Sequence, residues 1–392
     1  MQGSQGYPLE GIKVLDMSRV LAGPFAGRML SDLGADVVKV EPPDGDITRL
    51  WGHTVAGISG YFQQQNVGKR DICVDLAAPG GPELIKALVP HADVLIENFR
   101  PGIMTRYGLD YPQLQVLNPS LVMLSVSGFG QEGPESQRAA YAAIIHAESG
   151  LMARQAKTSS APPADVAISV ADFNAGMHGL VALLSALLMR QRTGEGQHID
   201  MAMTDSMLIN DDQLHYWIDD AVHLKPMQSE VWQTPGGPMI LSGDFRHIWR
   251  QLNQVCGVKD PTPPGAELEE KIRHRRAAAQ AFFDGLPDRN AVIAALTEMN
   301  IAWGDVRDSY QALKQPTVVH RGTIAQVDDR AGGERRVVGT PYRFSQAASG
   351  HRRGAPHKGE HNLEVLREWA AVDDAQIERW LADRALLAAD FN

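Results

Sequence analysis

Short apolar runs alternate with amphipathic stretches of helical period along the first half of the chain. Each run is rich in β-branched residues and is followed by a polar or glycine-containing turn. The predicted strands are Ile12–Asp16, Val37–Glu41, Asp71–Asp75, Asp93–Glu97 and Leu121–Ser127, and the predicted helices are Ala22–Leu33 and a segment after Gly81. Strands separated by helices of about ten to fifteen residues indicate βαβ units. The pattern therefore predicts an α/β fold with a parallel sheet.

The turns after these strands are the predicted ligand contacts. In open parallel sheets, ligands bind beyond the carboxyl ends of the strands. Those ends carry Ser18–Arg19, Glu41–Pro43, Asn98–Gly102 and Gly128–Gly130. No GxGxxG sequence follows the first strand, so a nicotinamide dinucleotide site is not indicated.

A long apolar helical stretch later in the chain begins with one acidic residue, Asp172. It ends in a basic, glycine-bracketed turn, Arg190–Gly196, and an apolar strand begins at Ile199. Asp172 has two interpretations. It is either the N-cap of the helix or a carboxylate nucleophile, kept ionised by amide donors and the helix dipole. The spacing alone leaves both open.

The second half of the chain has a different character. Prolines and glycines break it at Pro226–Pro238 and Pro261–Gly265. The predicted elements are a strand at Met239–Ser242, helices at Phe245–Val255, Glu267–Asp284, Arg289–Glu298 and from Ser309, strands at Gly322–Val327 and Arg336–Val338, and two helices after Gly359. We predict a large α/β domain over residues 1–224, a small α+β domain over 225–320, and a C-terminal segment, 321–392, that returns to the large domain.

Composition excludes several classes of protein. The chain has 392 residues, 44% hydrophobic and 21% charged, as in ordinary globular proteins. A net charge of -10 argues against a nucleic-acid or anionic-membrane partner. Only Cys73 and Cys256 occur, without CxxC spacing, so we expect a reducing, cytoplasmic environment and no disulfide framework.

Targeting and metal signals are also missing from the sequence pattern. The N-terminal residues MQGSQGYPLEG lack a basic region followed by an apolar one, so no signal peptide is expected. The most apolar helical stretch, Gly179–Met189, is too short to span a bilayer. The histidines are scattered and no HExxH occurs, so no metal site is expected.

Six segments match one family pattern in the same order along the chain. They are PLEGIKVLDMSRVLAGPFAGRMLSDLGADVVKVEPPDGD, NVGKRDICVDL, DVLIENFRPGIMTRYGLDY, LNPSLVMLSVSGFGQEGP, the stretch from Val170 to Met203 with RTGEGQHIDMAM, and APHKGEHNLEVL. They resemble the class III CoA-transferases, the family of formyl-CoA, carnitine and bile-acid CoA-transferases, whose fold the α-methylacyl-CoA racemases share. The match is weakest from about Ile209 to His320. It implies a Rossmann-like large domain, a smaller α+β domain and an interlocked homodimer.

The same resemblance implies roles for individual residues. Asp172 would attack the thioester of a donor acyl-CoA and pass through a mixed anhydride to a covalent aspartyl-CoA. The residues implied in CoA binding are Val20, Leu21, Ala22, Val74, Asn98, Phe99 and Arg106. Arg106 is the expected phosphate partner. Phe99 is equally well a core aromatic, and Arg19 is either a charge at the pocket mouth or a surface arginine.

The expected substrates are an acyl-CoA and a small carboxylic acid, with succinate a reasonable donor acid. No tightly bound cofactor is expected, since coenzyme A enters as part of the substrate. The CoA 3′-phosphate contact is open, because Pro42 and Ala77 stand where some transferases carry basic residues. Arg138 or Lys69 are the candidate substitutes. The nearest match to the glycine-rich loop of the formyl-CoA enzymes is Thr234–Gly237.

The main alternative is a 2-methylacyl-CoA racemase, which needs two opposed acid/base groups. Racemases carry a His-Asp dipeptide where this chain has Tyr141–Ala142, which favours a transferase. His146 lies nearby, and it is either a packed helix histidine or an acid/base group. A non-catalytic acyl-CoA-binding protein is a further alternative, disfavoured by the presence of Asp172.

Overall fold

The computed structural model of the chain describes residues 6–218 and 229–390. The chain divides into two compact units, one made of Met1–Asp212 with His320–Asn392 and the other of Gln213–Val319. The predicted boundary between residues 224 and 225 lies outside the described residues. The division into three segments stays a prediction.

The first stretch of the larger unit contains eight strands and nine α-helices within the described residues. The strands are β1 (Lys13–Asp16), β2 (Asp36–Glu41), β3 (Thr54–Val55), β4 (Ile58–Ser59), β5 (Arg70–Cys73), β6 (Val94–Glu97), β7 (Val122–Ser127) and β8 (Gln197–Ala202). The helices are α1 (Ala22–Asp32), α2 (Gly60–Asn66), α3 (Gly81–Leu88), α4 (Ile103–Arg106), α5 (Tyr111–Leu117), α6 (Ala142–Glu148), α7 (Leu151–Ser159), α8 (Val170–Thr193) and α9 (Met203–Ile209).

The second unit is a small α+β arrangement. Its elements are α10 (His215–Ile218), β9 (Glu230–Trp232), β10 (Met239–Leu241), α11 (Phe245–Gln254), α12 (Leu268–Asp284), α13 (Arg289–Glu298), β11 (Trp303–Asp305), α14 (Ser309–Leu313) and α15 (Pro316–His320). The three strands form an antiparallel sheet in the order β11-β10-β9. Met239 and Leu241 of this sheet and Phe283 of α12 are buried in its core.

The chain then returns to the larger unit. This last stretch contains β12 (Ile324–Asp328), β13 (Glu334–Val338), α16 (Asn362–Ala370) and α17 (Asp374–Ala382). Beyond α17, Leu386 bridges to Val74, the residue that follows β5. The end of the described chain therefore packs beside the edge strand of the main sheet.

Six parallel strands form the main sheet, in the order β5-β2-β1-β6-β7-β8. From β1, the strands β2 and β5 extend the sheet to one edge, and β6, β7 and β8 extend it to the other. This is the strand order of Rossmann-type sheets, and the point of reversal lies between β1 and β6. The prediction of an α/β fold with a parallel sheet is confirmed. The turns after β1 and β6 lie side by side at the edge where ligands bind.

Both faces of this sheet are covered, which explains its nearly continuous apolar strands. Successive side chains of β1 point to opposite faces. Leu15 belongs to a core with α3, α16 and α17, whereas Val14 belongs to a core with α1 and α8. The two helical layers hold the sheet between them and fix the turns at its carboxyl edge.

Helix α8 corrects one expectation. Its 24 residues make it long and apolar enough to cross a membrane by length and composition, so the prediction that it is too short is wrong. A core helix passes the same test. One face of α8 packs against α1 and β7, with Ala175, Leu180 and Leu183 buried.

Candidate active site

Two buried ion pairs shape the turn between β1 and α1. Lys69 Nζ lies 2.7 Å from Asp16 Oδ2, and Lys39 Nζ lies 3.0 Å from Asp46 Oδ2. Lys39 also donates to the carbonyl oxygen of Ser18, at 2.9 Å. All four charged side chains are almost completely buried. Because a buried charge without its partner is very unfavourable, these pairs fix the turn in one conformation.

Val20 lies at the tightest point of this turn. Its φ of +68° is in the left-handed region, which a β-branched residue rarely adopts and which costs about 1–3 kcal/mol. Its N–H donates to Asp46 Oδ2 at 3.1 Å. The strained bend is therefore held by Asp46, and it directs the chain through Leu21 into Ala22, the first residue of α1.

The turn after β6 is tied to this one by a side chain. Asn98 Oδ1 accepts the N–H of Arg19 at 2.7 Å, and Asn98 Nδ2 donates to the carbonyl oxygen of Arg19 at 2.8 Å. Glu97 Oε2 accepts the N–H of Phe99 at 2.8 Å. The two turns at the point of strand reversal thus form one rigid edge.

Asp172 lies in the first turn of α8, where the N-cap residue is Ser169. The interpretation of Asp172 as the N-cap is therefore wrong. Burial raises the pKa of Asp172 to about 6, against the opposing effect of the N–H of Ala22, which donates to the carboxylate. The N–H of Asp172 itself also donates to it. At neutral pH the group is ionised, and it is held between two helix N-termini.

A glycine allows the two helices to approach this closely. A Cβ atom on Gly176, one turn after Asp172, would lie 2.7 Å from the carbonyl oxygen of Ala22 and 3.0 Å from the ring of Phe25. No side chain fits there without moving the backbone of α1. The contact between Ala22 and Asp172 therefore depends on a small residue at position 176.

Two adjoining cavities open at this edge of the sheet. The first, of about 320 Å³, contains Asp172, and the second, of about 370 Å³, lies over the ends of β2 and β5. Arg19, Phe99 and Arg100 line both. A long molecule that fills the second cavity can therefore reach Asp172 by passing these three side chains.

The first cavity is strongly basic. Arg19, Arg100 and Arg138 line it, and Asp172 is its only acidic residue among the described ones. Arg138 pairs with Glu135 and Glu148. By contrast, Arg19 Nε is buried and has no acceptor in the described part of the chain, and the hydroxyl of Ser127 in the same cavity is likewise unpartnered. Buried donors without acceptors are unfavourable, so these two groups suit an anionic ligand.

Most of the predicted site residues come together here. Val20, Ala22, Asn98, Phe99 and Asp172 line the first cavity, and Phe99 and Val74 line the second. Phe99 also packs against the core, so its interpretation as a core aromatic is confirmed, and its contact with CoA stays a prediction. None of this tests the binding roles, which stay predictions.

Two other predicted residues lie outside the cavities. Leu21 is buried at the start of α1 and lines neither cavity in the described structure. Arg106 is exposed at the end of α4, with its guanidinium 5.2 Å from the ring centre of Tyr107. Tyr107 itself lines the second cavity, so Arg106 lies beside that cavity through its neighbour.

The candidates for the CoA 3′-phosphate contact need correction. Lys69 is wrong, because its side chain is fully buried and bonded to Asp16, Asn66 and the carbonyl oxygen of Pro24. Arg138 lines the first cavity and not the second among the described lining residues. Pro42 and Ala77 do line the second cavity.

Two supporting residues were missed, Lys39 and Asp46. The signal for Lys39 was present, because a lysine inside the apolar strand VVKVE must be buried and must have an acidic partner. The identity of that partner depends on the path of the chain after Pro43 and is not readable from spacing. The Thr234–Gly237 segment belongs to the second unit, where it forms the turn before β10.

No group of three or more metal-ligating side chains occurs in residues 6–218 and 229–390. Among the described residues, no histidine lines the first cavity, where the ionisable groups besides the arginines are Asp172 and Tyr141. The site is thus a carboxylate in a basic pocket, next to a second cavity large enough for part of a long ligand.

Comparison with known proteins agrees with this geometry. The profile of CoA-transferase family III matches residues 9–362. A succinate–glutarate CoA-transferase of Agrobacterium fabrum is 34% identical over 93% of this chain and 96% of its own. An acetyl-CoA:oxalate CoA-transferase of Acetobacter aceti is 32% identical over 93% of this chain and 97% of its own.

A crystal structure of a CAIB/BAIF family protein from Brucella suis superimposes with a TM-score of 0.77, at 31% identity, and covers 93% of this chain and 100% of the other. The chain belongs to CoA-transferase family III and is a class III CoA-transferase. The expectation drawn from the six sequence segments is confirmed.

Proposed function

We propose that this enzyme transfers CoA from an acyl-CoA to a free carboxylic acid through a covalent aspartyl-CoA on Asp172. The observation that carries the proposal is the position of that carboxylate. It is buried in a basic cavity, bonded to the N–H of Ala22, and next to a second cavity that leads to it past Phe99. Because CoA moves from one carboxylic acid to another, the intermediate carrier is best a carboxylate that can itself become an acyl-CoA.

Coenzyme A is expected to occupy the second cavity. Val74, Leu76 and Ala77 on one side and Ile103 and Tyr107 on the other give it an apolar lining. The pantetheine arm would then pass Phe99 and bring the thioester to Asp172. Arg106 lies beside this cavity and is available to the phosphates.

The reaction proceeds by four acyl transfers with no net redox change. Asp172 attacks the thioester carbon, the C–S bond breaks, and a mixed anhydride and CoA thiolate result. The thiolate attacks the aspartyl carbon and releases the donor acid, which leaves aspartyl-CoA. The acceptor carboxylate attacks this thioester, which releases CoA thiolate and forms a second mixed anhydride between Asp172 and the acceptor. The thiolate then attacks the acceptor's acyl carbon, which forms the new acyl-CoA and restores the Asp172 carboxylate.

The backbone donors have a second use in this sequence. When the thiolate attacks the aspartyl carbon, negative charge develops on the aspartyl oxygen. The N–H groups of Ala22 and Asp172, which hold the resting carboxylate, are then available to that oxyanion. Removing one such donor typically reduces kcat by about 10²–10³-fold.

We propose small dicarboxylic acids as the substrate class. Two observations support this: the relatives named above act on succinate, glutarate and oxalate by their names, and Arg19 Nε is a buried donor without an acceptor among the described residues. A second carboxylate on the acid gives this guanidinium its partner. Replacing Arg19 by Met should raise KM for a dicarboxylic acceptor far more than for a monocarboxylic acid of equal length.

The test is a transfer assay with matched acids. The enzyme is incubated with succinyl-CoA and glutarate, oxalate, butyrate or acetate, and the new thioester is followed by chromatography. We expect transfer to dicarboxylates. Absence of transfer to any acid, together with uptake of solvent deuterium at the α-carbon of a 2-methylacyl-CoA, would support a racemase instead. Tyr141 stands where a racemase carries histidine, and no histidine lines the first cavity among the described residues, which favours transfer.

A homodimer in a reducing, cytoplasmic compartment completes the proposal. Its support is the resemblance, the use of only two cysteines, and the exposed apolar residues Met177, Val181, Leu188 and Met189 on α8. Light scattering of the purified protein should give twice the chain mass of 42.8 kDa. A particle of 42.8 kDa at assay concentration would contradict the dimer.

A further inference from the structure

A buried histidine meets the helix that carries Asp172. His146 on α6 is 1% exposed, and its Nε2 accepts the N–H of Ala171 at 3.1 Å. Ala171 is the second residue of α8, directly before Asp172. The N-cap residue, Ser169, makes no side-chain capping bond. The acceptor that a cap normally supplies to the first turn is thus supplied from another helix.

The second ring nitrogen fixes the form of the imidazole. Because Nε2 accepts a hydrogen bond, the proton of the neutral ring is on Nδ1. His146 Nδ1 lies 2.7 Å from Asp165 Oδ1 and donates to it. The pair also affects the carboxylate, since the hydrogen bond from His146 lowers the pKa of Asp165. Asp165 therefore orients the ring so that its lone pair faces the backbone of α8.

We propose that His146 is a positioning residue for the transfer reaction, which holds the first turn of α8, and with it Asp172, through the N–H of Ala171. This inference rests on the proposed role of Asp172. His146 acts only as the neutral ring, since the imidazolium would present an N–H to the N–H of Ala171. Removal of this acceptor therefore releases the first turn of α8 and lowers kcat.

The helices α7, α8 and α9 pack against α6, which carries His146, and each of them has charged groups. Asp165, before α8, and Asp172, in α8, are the two carboxylates that interact with it. Arg154 of α7 pairs with Asp211, which follows α9. The remaining charged groups on these helices are Glu148 on α6, which pairs with Arg138, Lys157 on α7, Arg190 and Arg192 in the last turn of α8, and Asp205 on α9. Asp165 and Asp172 are thus the two carboxylates that interact with the ring.

The test compares three substitutions at this position. His146→Gln places an amide oxygen near the Nε2 position and does not titrate. His146→Asn carries a shorter amide that reaches only the Nδ1 position, and His146→Leu has no acceptor. At pH 8 we expect His146→Gln to keep kcat within about threefold of wild type, and the other two to lose about tenfold or more, with KM for acyl-CoA little changed.

The split between kcat and KM separates positioning from general support of the fold. The expected result is that the amide of His146→Gln restores kcat and that of His146→Asn does not, while KM for acyl-CoA is unchanged in all three variants. Equal activity of His146→Leu and wild type, or an equal loss of kcat in His146→Gln and His146→Leu, would overturn the inference. Asp172→Asn is assayed alongside. If that variant keeps transfer activity, the proposed role of Asp172 fails; if it is inactive while His146→Leu is fully active, only the present inference fails.

Discussion

The proposed reaction depends on two opposing effects on the charge of one carboxylate. Burial raises the pKa of Asp172 to about 6, which makes the anion more reactive than an exposed carboxylate. The N–H of Ala22 opposes that shift and keeps the group ionised at neutral pH. Asp172, the proposed nucleophile, is therefore desolvated and still carries its charge.

The activity should consequently fall in acid at a defined point. Below pH 6 Asp172 takes up a proton, and the neutral carboxyl is a poor nucleophile, so kcat/KM should decrease as the pH falls through about 6. Steady-state rates from pH 4.5 to 9 measure this decrease. A limb centred near 4, the ordinary value for an aspartate, would contradict the account.

At the scale of elements, the site is made where two helix N-termini meet. The turn after β1 brings Ala22 to the edge of the sheet, and α8 brings Asp172 across it. Their closeness is set by Gly176, whose missing side chain leaves room for the carbonyl oxygen of Ala22. The proposed reaction should therefore depend on the distance between α1 and α8.

Replacing Gly176 by Ala should separate these helices. The new Cβ would lie 2.7 Å from a backbone oxygen, so α8 must shift by several tenths of an ångström. We expect kcat to fall by about 10²-fold, the effect typical of misplacing a reactive group. Stability should change little, because alanine favours the helix by about 1 kcal/mol and offsets part of the clash. Ser185→Ala, at an exposed position of α8, is the control. Full activity of Gly176→Ala would contradict this role.

Much of this arrangement was predictable from local pattern. The alternation of apolar strands and helices predicted the parallel sheet, and the turns after Asp16 and Glu97 were correctly expected at its carboxyl edge. What sequence could not give is contact between distant residues. The pairing of Lys39 with Asp46, and of His146 with Asp165, depends on the path of the backbone and not on the periodicity of the sequence. The prediction that Lys69 contacts the CoA 3′-phosphate was wrong for the same reason, because nothing in its sequence neighbours indicated Asp16 as its partner.

At the scale of the whole molecule, the end of the chain supports the proposed CoA cavity. The N–H of Asp75 donates to the carbonyl oxygen of Ala385 at 2.9 Å, and the N–H of Leu387 donates to the carbonyl oxygen of Cys73 at 3.0 Å. Leu386 lies between them, is 1% exposed and bridges to Val74, which lines the second cavity. Segments more than 300 residues apart thus close the same edge of the sheet.

Replacing Leu386 by Ala should affect both stability and substrate binding. Loss of a fully buried leucine side chain costs about 2–5 kcal/mol, and release of the strand end should raise KM for acyl-CoA. Leu381→Ala, at an exposed position of α17, is the matched control and should stay within about 0.5 kcal/mol of wild type. Denaturant unfolding and initial rates measure the two effects. An unchanged KM in a clearly destabilised variant would show that the chain end does not support the cavity.

The most direct test of the central claim is the mass of the intact protein during turnover. Wild type and Asp172→Asn are mixed with succinyl-CoA, quenched in acid and weighed with and without hydroxylamine. We expect a wild-type adduct of one CoA less one water that is lost on hydroxylamine treatment and absent from the variant. Peptide mapping should place this adduct on Asp172. The same adduct on Asp172→Asn, or transfer by the wild type without any adduct on this residue, would contradict it.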